Sequence, residues 1–105
     1  MIKITFSEQG GNLTAFKVSG HATSGTEDLK GKIVCSAVSS AVYLTANTLD
    51  EVLGAKINYS DSDETFSLQV LSKIEESQVT LRGFRLHVTE LSKDYPKNIT
   101  VSSEV

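Results

Sequence analysis

The amino-acid sequence predicts an α+β fold, a two-layer sandwich of element order ββαββαβ in one domain spanning residues 1–105. Two patterns predict it. Paired short segments alternate apolar and polar residues around polar turns, which is typical of β-hairpins. Two longer segments have the apolar pattern of packed helices. Because each hairpin is followed by a helix, we expect two helices on one face of a mostly antiparallel sheet.

The first hairpin and helix come from the first half of the chain. Apolar residues alternate with polar ones over residues 2–6, and after the turn SEQGGN a second strand covers residues 13–19. Residues 33–53 are apolar or small on nearly every side, as in a helix buried over much of its circumference, and Gly54 provides its end. We therefore expect this helix to pack closely on the sheet.

The second half repeats this order. Residues 57–59 and 66–70 alternate on either side of the turn SDSDE, which predicts a second hairpin. From about Ser77 to Pro96, apolar residues recur every three or four positions and predict an amphipathic helix. Residues 99–101 supply a short last strand.

Composition excludes several classes of function. The net charge is −3 and the ten lysines and arginines are scattered, which disfavours direct binding of nucleic acid. No segment approaches the roughly 20 consecutive apolar residues of a membrane span, and the start alternates like a strand rather than a signal peptide, so we expect a cytoplasmic protein.

The chain has one cysteine, which precludes an internal disulfide. No metal-ligand spacing or phosphate loop is present, so no metal and no cofactor are expected.

The only cysteine, Cys35, and one of the two histidines, His21, flank a polar segment that contains glycines. Cys35 stands near the predicted helix start, where unsatisfied backbone N–H groups favour the nucleophilic thiolate. His21 follows a strand end, and an imidazole there can take the thiol proton and later protonate a leaving amine. Each residue also has a structural interpretation, Cys35 as a small buried apolar residue and His21 as a polar cap of the strand.

Two further side chains are candidates for supporting this pair. Ser39 lies four residues after Cys35, on the same face of the predicted helix, where it can hydrogen-bond a substrate or a neighbouring loop. Its alternative role is to permit close helix packing. Asp28, like Glu27 beside it, is either a carboxylate that orients His21 or a solvated loop charge.

The segment GHA at residues 20–22, the polar loop and the run IVCSAVS at residues 33–39 together resemble the signature of the ribosomal-processing cysteine protease family (Prp). The resemblance covers the whole chain. The order of predicted elements is similar, and YPKNI at residues 95–99 resembles the closing segment of the family.

This resemblance implies a bacterial endopeptidase that removes the N-terminal extension of large-subunit ribosomal protein twenty-seven, a step in ribosome assembly. His21 and Cys35 match the family's catalytic pair. Ser39 matches a serine of the family pattern, and Gly20 belongs to the GHA motif. The resemblance also implies a homodimer whose loop between histidine and cysteine closes over the substrate.

Lys32 stands where the family usually has an aspartate shortly before the cysteine. Asp28 would then serve in its place, unless an orienting carboxylate is dispensable. The same lysine favours an alternative function, a non-catalytic binding module that holds a ribosomal protein without cutting it. A third interpretation is a purely structural partner in which Cys35 is buried.

Overall fold

Strands and helices follow one another in the predicted order. The computed structural model describes residues 1–20 and 29–104. In chain order, the elements are β1 (Ile2–Gln9), β2 (Asn12–Ser19), α1 (Leu29–Asn47), a short π-helical segment (Thr48–Val52), β3 (Ile57–Ser62), β4 (Thr65–Val70), α2 (Ile74–Asp94) and β5 (Ile99–Glu104). The predicted α+β class and the order ββαββαβ are confirmed.

The five strands of the described residues form one mixed sheet with the order β3-β4-β2-β1-β5. β1 pairs in parallel with β5, whereas all other neighbouring strands are antiparallel. Gly10 and Gly11 form the turn between β1 and β2, with φ values of 59° and 82°. Positive φ at both central residues matches the twist of a tight hairpin, which explains why this turn needs glycines.

One face of the sheet is apolar, and both helices cover it. Ile4 lies opposite Val18 and Phe6 lies opposite Phe16, so the alternation within each strand places these side chains on one shared face. Phe84 of α2 packs on that face, with its ring centroid 4.7 Å from that of Phe16 and 5.6 Å from that of Phe6. The core therefore lies between the sheet and the two helices.

The first helix begins earlier than its sequence pattern predicts. α1 begins at Leu29 rather than at Ile33. Leu29 is exposed and Gly31 is a poor helix former, so the apolar periodicity that predicts a helix is weak in this first turn. Residues 29–32 are therefore helical instead of belonging to the predicted polar loop. As a consequence, Cys35 lies in the second turn of α1 and not in the first.

The end of the first helix also departs from the regular pattern. α1 stops at Asn47 and continues as the π-helical segment up to Val52, two residues before Gly54. The Leu53 N–H donates to the Thr48 carbonyl at 2.8 Å, which is the i to i−5 bond of a π-helix.

Within residues 1–20 and 29–104, no helix is both long and apolar enough to cross a membrane.

Candidate active site

A groove of about 360 Å³ lies between α1 and the end of the sheet where β2 finishes and β4 begins. Much of its lining is apolar, both on the sheet and on the inner side of α1. The apolar residues that line it are Ile2, Val18, Val38, Val42 and Phe66. A ligand with apolar side chains therefore gains by covering this surface.

Cys35 lines this groove from the second turn of α1. The neighbouring Val34 and Val38 are buried in the core and hold this part of the helix against the sheet, while Cys35 is half-buried at the edge of the core. Cys35 therefore packs against the core without being fully buried. The side chain is part of the surface that a ligand in the groove would contact.

Ser39 and Tyr43 continue the line of Cys35 along α1. The three residues are spaced four apart, so successive side chains lie on the same side of the helix, and all three line the groove. Ser39 is exposed, and Tyr43 is exposed over 62% of its surface. Ser39 is therefore not a packing residue, and its hydroxyl is accessible to a bound ligand.

Gly20 lines the groove at the point where β2 ends. Its φ is 86°, a conformation that residues with a side chain rarely adopt, and a Cβ at this position would overlap the Met1 carbonyl oxygen. The Gly20 N–H also donates to the Glu64 carbonyl at 3.1 Å. Glycine is therefore required here because β1, β2 and the turn after β3 come together around its backbone.

Two of the predicted site residues, His21 and Asp28, lie outside the described residues. His21 directly follows Gly20 in sequence, and Asp28 directly precedes Leu29, the first residue of α1. Lys32, which stands at the position of the expected aspartate, lies in the first turn of α1 and is exposed. The catalytic pairing of histidine with cysteine therefore stays a prediction.

The second hairpin contributes groove residues that the sequence patterns did not reveal. Asp61, Glu64 and Thr65 line the groove, and they come from the end of β3, the following turn and the start of β4. The segment SDSDE predicts only a turn, because it lies 25 to 29 residues after Cys35 and no local pattern reveals a contact over that separation. Across residues 1–20 and 29–104, no cluster of three or more histidine, cysteine or acidic residues has the arrangement to hold a metal ion.

Comparison with known proteins assigns this chain to a class of enzyme. A model of the family described as cysteine protease Prp matches residues 1–100, which is nearly the whole chain. The protein is therefore a cysteine protease. It belongs to the cysteine protease Prp family. Among curated proteins, none matches this chain.

Solved structures have the same fold. SMU.848 from Streptococcus mutans is 29% identical, with a TM-score of 0.78 over 98% of this chain and 93% of that one. An essential ribosomal processing protease Prp from S. aureus, bound covalently to a product peptide, is 22% identical, with a TM-score of 0.85 over 99% and 100%. A second S. aureus structure of such a protease, in complex with a substrate peptide, is 18% identical, with a TM-score of 0.87 over 99% and 100%.

Proposed function

We propose that this protease is an endopeptidase that removes the N-terminal extension of large-subunit ribosomal protein twenty-seven, with Cys35 as its nucleophile. The observation that carries the proposal is the placement of the only cysteine on the surface of an open groove. The family match supports cleavage of a peptide bond. The likeness to proteases described as ribosomal processing enzymes supports the choice of a ribosomal protein as substrate.

In the proposed reaction, His21 takes the proton of the Cys35 thiol, and the thiolate sulfur attacks the scissile carbonyl carbon. The C–N bond then breaks as the imidazolium donates its proton to the leaving amine, which leaves a thioester on Cys35. Water hydrolyses the thioester, releases the carboxylate of the cut extension and restores the thiol. His21 follows Gly20, whose backbone forms one end of the groove, and this supports its approach to the substrate.

The boundary of α1 changes which groups are available to stabilise the oxyanion. The sequence predicts that backbone N–H groups at a helix start adjoin Cys35, but the first turn of α1 lies one turn earlier. Beyond the first turn, backbone N–H groups donate to carbonyls within the helix. The Ser39 hydroxyl, one turn after Cys35 and exposed in the groove, is therefore the donor that we assign to the bound substrate.

Replacing Ser39 by alanine tests this role. We expect kcat/KM for the precursor to fall about three- to tenfold, the value of one hydrogen bond, because the substrate loses a donor. Ser40→Ala is the matched control, since Ser40 is also exposed on α1 but does not line the groove. Both variants should keep the free energy of unfolding within about 0.5 kcal/mol of wild type. If the two variants had equal kcat/KM values, the proposed hydrogen bond from Ser39 to the substrate would be wrong.

The remaining parts of the proposal follow the family resemblance. Asp28 orients His21 in place of the aspartate that Lys32 replaces. The enzyme acts in the cytoplasm as a homodimer, without a metal or a cofactor, and binds the ribosomal protein precursor rather than nucleic acid. The net charge of −3 supports the last point.

The direct test offers the purified protein two forms of the ribosomal protein, one with its extension and one without. We expect wild type, under reducing conditions, to cut the extended form at the junction and to leave the short form unchanged, as followed by mass spectrometry. Alkylation of Cys35 before the reaction should prevent the cut. A precursor that stays whole, or that binds without turnover regardless of alkylation, would contradict the proposal and favour a binding module.

A further inference from the structure

The two charged residues that line the groove, among residues 1–20 and 29–104, are both acidic. Asp61 and Glu64 form this acidic rim, and no lysine, arginine or histidine of the described chain lines the groove with them. Asp61 is exposed and, within the same residues, makes no ion pair with a basic side chain. At Asp61 the groove therefore presents a carboxylate that no basic side chain of the described residues neutralises.

Asp61 is placed so that its carboxylate adjoins apolar surface. It lies directly opposite Phe66 in the antiparallel pair of β3 and β4, so the two side chains are on the same, helix-facing side of the sheet. Phe66 is half-buried and its ring stacks on that of Tyr59, with 6.1 Å between the centroids. A carboxylate beside an aromatic surface matches a side chain with an apolar stem and a cationic end, which describes lysine and arginine.

The end of the β3-β4 hairpin, which carries this rim, is tied to the rest of the groove. The Gly20 N–H bond to the Glu64 carbonyl joins the turn after β3 to the end of β2. The hairpin of β3 and β4 continues in register up to Ser62 and Thr65, next to the turn. Asp61 therefore holds a defined position relative to the apolar lining, as a residue that discriminates between substrates must.

We propose that Asp61 is a specificity-determining residue that selects a lysine or arginine side chain in the bound peptide. This inference rests on the proposed function of the groove as the peptide site. The cationic end of that side chain pairs with the Asp61 carboxylate, while its methylene stem covers Phe66. A glutamine or glutamate at the same peptide position gains no such pair, and glutamate is repelled by the Asp61 carboxylate.

The test uses peptides that span the junction of the precursor, with every ionisable side chain replaced by glutamine. A series of such peptides then carries a single lysine at each position in turn. Wild type is compared with Asp61→Asn and with Asp63→Asn, the control. Asp63 lies in the same turn region and its variant has the same net charge, but it does not line the groove, and asparagine tolerates its φ of 50°.

We expect lysine at one position to raise kcat/KM about three- to tenfold over the all-glutamine peptide, with the gain declining at high salt. Asp61→Asn should abolish this gain, and Asp63→Asn should preserve it. Kd values for the same peptides and variants are then measured by fluorescence anisotropy in a Cys35→Ala background. Because this background does not cut the peptide, these values report peptide binding separately from the chemical step.

The outcomes distinguish this inference from the proposed function. If wild type cuts or binds the peptides but prefers lysine at no position, or if the two asparagine variants behave alike, the role of Asp61 is wrong and the protease assignment stands. If wild type neither cuts nor binds any peptide of the series or the intact precursor, the proposed substrate is wrong, and the role of Asp61 is wrong with it.

Discussion

We expect Cys35→Ala to lower kcat/KM for the proposed extended ribosomal precursor by on the order of 10⁴-fold or more, the loss expected when a covalent nucleophile is removed. The physical reason is that no other cysteine exists in the chain to form the thioester. Because Cys35 is half-buried at the edge of the core, we expect the truncation to change the free energy of unfolding by only about 1 kcal/mol. Initial rates by mass spectrometry and urea unfolding measure the two effects.

The matched control is Ser36→Ala, which changes the next residue of α1, an exposed one that does not line the groove. It should cut the precursor at the wild-type rate. Cleavage by Cys35→Ala at a rate close to wild type would show that the groove thiol is not the nucleophile. Loss of cleavage in both variants would instead indicate that this turn of α1 tolerates no substitution.

Gly20→Ala should be the most damaging single-methyl change at the edge of the site. The new side chain must adopt a φ of 86°, and its Cβ would overlap the Met1 carbonyl oxygen. Strain at a left-handed position and steric overlap each cost about 1–3 kcal/mol. We therefore expect the free energy of unfolding to fall by about 2–6 kcal/mol, and kcat/KM to fall by more than about tenfold, because the groove is displaced where β2 ends.

Gly11→Ala separates the two causes. Gly11 has a nearly equal φ of 82°, but an added Cβ there has nothing within 4 Å. The Gly11→Ala variant should therefore lose only the free energy of unfolding that backbone strain costs. It should keep wild-type activity at temperatures at which it is folded. Urea unfolding and cleavage kinetics of the two variants check this. The proposed contact with Met1 would be wrong if Gly11→Ala were as unstable as Gly20→Ala.

The sequence predicts the strands and the fold class well because burial on one side of a strand leaves a strict alternation. The isoleucines and phenylalanine of β1 show it directly, and their side chains are all buried. Helix starts are less visible because the exposed Leu29 and the glycine at position 31 carry no such pattern. This error of one turn matters for the site, because the observed start of α1 at Leu29 lies farther from Cys35 than the predicted start.

Only the part of the candidate site that lies on α1 could be predicted from the sequence. Cys35 and Ser39 belong to one helix, and a spacing of four residues is enough to predict that they share a face. Asp61 reaches the same groove through the strand order β3-β4-β2, which depends on which hairpin edges pair. That choice is made by packing of the whole sheet, and no local pattern in SDSDE encodes it.

The parallel pairing of β1 with β5 also has a consequence for how the protein folds. The partners Ile2 and Ile99 come from opposite ends of the sequence, whereas β1 and β2 are joined by a two-residue turn. Closing so large a loop costs chain entropy that a local hairpin does not, so such contacts form slowly and late. During synthesis, β1 can acquire its first neighbour early, but its other edge stays unpaired until residues 99–104 have been made. We therefore expect the nascent chain to expose this edge to chaperones or to other chains for most of its synthesis.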